Sequence, residues 1–139
     1  MANFTTESNV RLKFQLNDTT LVPSSLVVAG IGDAHAELLR FLDPVFGGES
    51  PETAMVMGET LLAGAQVFRS LASQDAFGQK RVTVGGQRLE EGSRFQTLMA
   101  LAAVVEEQAW YLLEPYVLDQ PGREIVAATD GAPVWGEEQ

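Results

Sequence analysis

Apolar residues recur along this chain at spacings that a helix gathers onto one face. After Pro23-Ser24-Ser25, which reads as a cap, Val27, Ile31, Ala34, Leu38 and Leu42 follow at intervals of four, three, four and four, predicting an amphipathic helix. Gly30 and Gly32 interrupt it without stopping it. Each costs about 1 kcal/mol against alanine inside a helix, so close approach of another helix is expected there. Asp43-Pro44 and Gly47-Gly48 end the segment, and Ser50-Pro51-Glu52 opens the next with a cap, a first-turn proline and an early acid. That helix is expected to run to about Ala72, with Met57, Leu61, Gly64, Phe68 and Leu71 as one apolar stripe. Ala54, Gly58 and Ala65 are small positions beside it that let helix axes approach.

The last helix is predicted from Ser93, whose spacing to Gln96 is that of a capping box. Phe95, Leu98, Ala102, Val105, Ala109 and Leu112 recur at three and four, and Pro115 marks the end. Before it, Val82, Val84 and Leu89 flank Gly85-Gly86 in Lys80 to Leu89, a pattern that reads as a short β-hairpin arm at about residues 78–91. A lone two-stranded hairpin is marginal in water, so another subunit is expected to hold it. At the other end, Thr5 to Leu16 carries both an alternating pattern (Val10, Leu12, Phe14, Leu16) and a Thr-Thr-Glu helix start; a short helix is the favoured reading. Beyond Tyr116 the chain turns rich in glycine, proline and acids and reads as a flexible tail over 117–139 that orders on binding. The expected fold is all-α: a small bundle of three to four helices over residues 1–116, with the hairpin arm between the last two long helices.

Length and composition narrow what this bundle does. The 139 residues suffice for one core without staples. A net charge of -10 and a pI near 4.4 disfavour direct nucleic-acid binding, which needs clustered Lys and Arg. The absence of cysteine excludes thiol nucleophiles, disulfides and cysteine zinc sites. Neither a signal-like leader nor an apolar run long enough to span a bilayer is seen, so a soluble protein, intracellular where it is made, is expected.

No catalytic, cofactor or metal residue is assigned. Leu26 to His35 mimics a strand feeding a dinucleotide-binding glycine loop, but His35 stands where a third small residue is required and no βαβ unit follows. His35 is the lone histidine; with Asp33 and Glu37 nearby it could ligate something, yet a partly exposed helix histidine is the stronger reading. The pairs Glu90-Glu91, Glu106-Glu107 and Glu137-Glu138 diverge by about 100° on a helix and read as solvated faces. Ser24, Ser25, Ser70 and Ser73 lack a nucleophile elbow. Lys80, Arg81 and Arg88 concentrate positive charge around the hairpin of an acidic chain. They read either as edge protection or as an intersubunit contact that also takes in Val82, Val84, Gly85 and Gly86. Trp110, Tyr111 and Tyr116 read as core or as interface anchors, and Ile125, Val126 and Trp135 as a partner-binding portion of the tail.

The order of these elements resembles the head-tail connector proteins of tailed bacteriophages. The resemblance runs over Phe4 to Tyr116, through Thr5-Thr6-Glu7, Phe14-Gln15-Leu16-Asn17-Asp18, Ile31-Gly32-Asp33-Ala34-His35-Ala36-Glu37-Leu38-Leu39, Pro51-Glu52 and Ala109-Trp110-Tyr111-Leu112-Leu113-Glu114-Pro115. It implies a helical bundle that forms a ring docked on the portal at the neck. In such rings an extended loop touches the neighbouring subunit and the C-terminal tail reaches toward the portal. The implied partners are further copies of the chain, the portal protein and other neck or tail proteins, with DNA only as passing cargo and no membrane. The implied location is the host cytoplasm during assembly and then the virion neck. The glycines of the first long helix and the acidic tail with Trp135 depart from the family pattern. A non-viral helical interaction scaffold and, less favoured, a small nucleotide-binding enzyme are the alternatives.

Overall fold

The computed structural model describes residues 3–47, 50–78 and 85–118. Helix α1 spans Glu7–Phe14, α2 Ser24–Phe41, α3 Thr53–Gly78 and α4 Gly85–Leu113, with short 3-10 turns at Pro44–Phe46 and Glu114–Tyr116. The fold is all-α, and α3 is its centre: α4 and α2 pack against it, and α1 closes over α3 and α2. From Gly58 to Ala65 every residue of α3 is buried. A helix surrounded on all sides need not be amphipathic, so the single stripe expected for it is replaced by burial around the whole circumference, while Met57 from that stripe is exposed.

α1 resolves the ambiguity at the amino end. In a strand Val10 and Leu12 would share a face; here Val10 is fully buried and Leu12 is 74% exposed, as a helix requires. Thr6 caps the helix by accepting the Asn9 N–H at 3.2 Å, and Gln15, at φ 58° in the left-handed region, ends it. Arg11 then donates to Leu16 O (2.8 Å) and Val22 O (2.7 Å), fastening the loop that leads to α2. Ser24 is the first residue of α2, and its hydroxyl donates to Glu7 Oε2 at 2.7 Å, joining the two helix starts instead of capping its own.

The α2 stripe is buried as expected at Val27, Ile31, Ala34, Leu38 and Leu42. A Cβ on Gly30 would stand 3.2 Å from Val67 Cγ2 and 3.3 Å from Ala63 O, so this glycine marks the close approach of α3. Gly32 is different: a Cβ there would meet nothing within 4 Å among the described residues. Helix α3 begins at Thr53, with Val56 N bonded to Glu52 O, so Pro51 precedes the cap instead of occupying the first turn. The carboxyl end of α4 is tied to that of α2. Asp43 N donates to Tyr116 O (2.9 Å) and Leu118 N to Phe41 O (2.8 Å), bracketing an antiparallel bridge between Leu42 and Val117. The Phe41–Trp110 and Phe46–Tyr116 rings meet edge to face beside it.

The hairpin arm is not supported. Gly85, Gly86, Arg88 and Leu89 belong to the start of α4, which begins eight residues before the expected Ser93 and carries Ser93 in its interior. Glycine is tolerated at a helix start, where the first N–H groups lack intrahelical acceptors anyway. The Gln87-Arg88-Leu89-Glu90-Glu91 run after it consists of good helix formers, and propagation onto an existing helix is easier than nucleating two short strands. Lys80, Arg81, Val82 and Val84 lie outside the described residues, as do Ile125, Val126 and Trp135 of the tail. Among the described residues no helix is long and apolar enough to cross a membrane.

Candidate interaction surface

Two features stand out from the apolar bundle: one buried and polar, the other exposed and apolar. The buried one centres on Glu59 of α3, whose side chain is 0% exposed. Its Oε2 accepts the backbone N–H groups of Phe4 (2.7 Å) and Thr5 (3.0 Å), and its Oε1 lies 2.7 Å from His35 Nδ1 of α2. Three hydrogen bonds thus converge on one side chain, two from main-chain N–H groups and one shared with the imidazole. Thr60 donates to Val56 O at 2.7 Å, which leaves Thr5 to donate to Thr60 Oγ1 across 2.6 Å. The Phe4 ring stands edge to face with the imidazole at 4.8 Å between centroids. A buried polar side chain is tolerable only when it is hydrogen-bonded, and these partners meet that condition.

The arrangement corrects the reading of His35, which is buried and not partly exposed. It sits beside Ala34 and Leu38 on the face that packs against α3, so its imidazole is carried into the core. Its Nε2 is buried with no hydrogen-bond partner among the described residues. The chemistry is that of a seat for the segment preceding α1: main-chain donors from Phe4 and Thr5 meet a carboxyl group that also contacts His35. Sequence reasoning overlooked Glu59. The available signal was a lone carboxylate inside the apolar stretch from Met55 to Ala65, with a lone histidine on the apolar side of another helix.

The exposed feature is a groove between α1, α3 and α4. One cavity of about 540 Å³ is lined by Lys13, Met57, Leu61, Val104, Glu107 and Tyr111 among others, and a second of about 340 Å³ continues it past Leu12, Val56 and Met57. Tyr111 is 77% exposed on one wall and Leu12 projects from the other. Fully burying a side chain of Leu, Val or Met type is worth roughly 1.5–3 kcal/mol, so this surface is costly to leave in water. Lys13 and Glu107, both exposed, give the groove one charge of each sign.

The aromatic residues of α4 separate accordingly. Trp110 is core, Tyr111 walls the groove, and half-buried Tyr116 donates its hydroxyl to Glu52 at 3.1 Å. The adjacent glutamates diverge as helix geometry demands: Glu106 pairs with Arg69 of α3 while Glu107 faces outward. Nearby Glu37 is pushed above the ordinary glutamate range, first by burial and next by the like charge of Glu106, with Arg69 opposing. Leu26 to His35 lies wholly within α2, so no glycine loop forms there. Comparison with protein-family models, with curated proteins and with solved structures yields no match to this chain.

Proposed function

We propose that the chain is a structural assembly subunit, the head-tail connector of a tailed-phage or prophage neck, whose copies form a ring docked on the portal. The observation that carries assembly is the apolar groove of α1, α3 and α4, with Leu12 and Tyr111 standing open on its walls. The order of helices, from the Thr-Thr-Glu start to Trp110-Tyr111-Leu112-Leu113-Glu114-Pro115, directs the reading to the connector class. A net charge of -10 suits a passage for DNA, because a negative wall repels phosphates and prevents adhesion.

The test is sedimentation and electron microscopy of the purified protein alone and with its cognate portal. Rings, or concentration-dependent assembly completed by the portal, are expected. A strict monomer at high concentration that also ignores the portal overturns the proposal. A discrete dimer without portal binding would instead indicate a helical scaffold of another kind.

A further inference from the structure

We infer that copies of this chain pack head to tail, the outward face of α2 from one copy seated in the α1/α3/α4 groove of the next. The inference rests on the assembly reading above and names the two surfaces that meet. At about 100° per residue, Val28, Leu39, Gly32, Ala36 and Ala29 fall within one arc of α2 roughly 100° wide, and all five are exposed. This arc faces away from α3, and the described residues of a single subunit leave it uncovered.

Charge selects the occupant. At one edge of the arc stand Asp33 and Arg40, both exposed, two turns apart and so about 10 Å along the axis. The groove carries Lys13 and Glu107. In the orientation we infer, Asp33 of one copy faces Lys13 of the next and Arg40 faces Glu107, two opposite-sign pairs within one sequence. A chain with a net charge of -10 repels its own copies, so self-contact is favoured where the local charges match. Gly32 adds geometry: among the described residues nothing crowds it, and a glycine on an outward face lets a neighbouring copy approach the helix backbone. Two different surfaces meeting make a heterologous contact, which generates rings when the rotation closes; one surface meeting itself stops at a pair.

Charge reversal on the full chain tests this, with assembly read by sedimentation velocity and native mass spectrometry and the fold checked by circular dichroism. Lys13→Glu and Asp33→Lys should each weaken assembly about tenfold or more, the scale of turning one attractive pair repulsive. The combined Lys13→Glu, Asp33→Lys variant should restore it. The control Lys13→Glu, Glu107→Lys reverses both groove charges against an unchanged α2 and should stay impaired. Restoration by the control would mean the groove meets itself; no effect of the single reversals would mean another occupant, such as a different protein. Either result overturns the assignment while wild-type assembly on the portal keeps the connector reading. A wild-type chain that neither assembles nor binds portal overturns both.

Discussion

His35 Nδ1 lies 2.7 Å from Glu59 Oε1, and the other oxygen of that carboxylate holds the main chain of Phe4 and Thr5. One fully buried carboxylate thus joins α2, α3 and the segment that precedes α1. Breaking such a set from the acceptor side strands several donors at once. Glu59→Ala should cost about 3–5 kcal/mol in urea unfolding, since it leaves several buried hydrogen-bonding groups without a partner at about 1–3 kcal/mol each. A loss below about 1 kcal/mol would show that the site is not the anchor described. Glu59→Gln keeps the shape but replaces one acceptor oxygen with a donor, so an intermediate loss is expected.

Thr5→Val removes the hydroxyl that donates to Thr60 without disturbing the backbone bond to Glu59. The expected cost is about 1 kcal/mol. Amide exchange should locate the change: protection at Phe4 and Thr5 should persist in Thr5→Val and vanish in Glu59→Ala. Equal loss in both variants would contradict the division of labour between hydroxyl and carboxylate.

Two glycines predict opposite outcomes for the same substitution. A Cβ on Gly64 would overlap the Phe14 ring, which packs edge to face on Phe68, so Gly64→Ala should destabilise by about 1–3 kcal/mol through overpacking. Adding Phe14→Leu should recover part of that loss. Gly32→Ala meets open space on a helix and should stabilise the isolated subunit by about 0.5–1 kcal/mol. If α2 docks as inferred, the same change should weaken assembly, a divergence that thermal melts and sedimentation together would reveal.

Glu37 gives a pH dependence of definite sign. Its folded-state affinity for a proton is raised, first by burial and then by Glu106, so the folded state binds more protons than the unfolded one just above the ordinary value of 4.5. Its penalty is therefore absent below that value, grows as pH rises through the shifted range, and is complete at neutral pH. Glu37→Gln should raise stability at pH 7 by roughly 0.5 kcal/mol, kept small by solvent screening at a site only partly buried. The gain should fade when melts are repeated near pH 4. A constant gain across that range would indicate packing and not charge as its source.

Much of the helical framework was legible in local pattern. The α2 stripe from Val27 to Leu42, the Thr6 cap and the stop before Pro115 all follow from spacing and backbone chemistry within a few residues. The hairpin expected around Gly85-Gly86 was not found, because a glycine pair is equally compatible with a turn and with a helix start. Choosing between them depends on whether the residues that follow propagate as helix. Val10 and Leu12 show a similar limit: their alternation fits a strand until burial separates them.

The candidate surfaces were less legible still, and for a physical reason. Periodicity fixes which residues share a face of one helix, since it depends only on the 3.6-residue turn. It contains nothing about which face another helix will cover. His35 and Glu59 are 24 positions apart; His35 read as a partly exposed helix residue and Glu59 drew no reading, and only the packing of α2 on α3 buries both and makes each the reason the other is tolerated. Likewise Leu12, Met57 and Tyr111 are unremarkable apolar positions along the chain. They become a groove because α1, α3 and α4 converge there without covering them. The helices and their apolar faces were thus set by short-range chemistry in the sequence. The buried carboxylate seat and the open groove were decided by long-range contacts that no local pattern encodes.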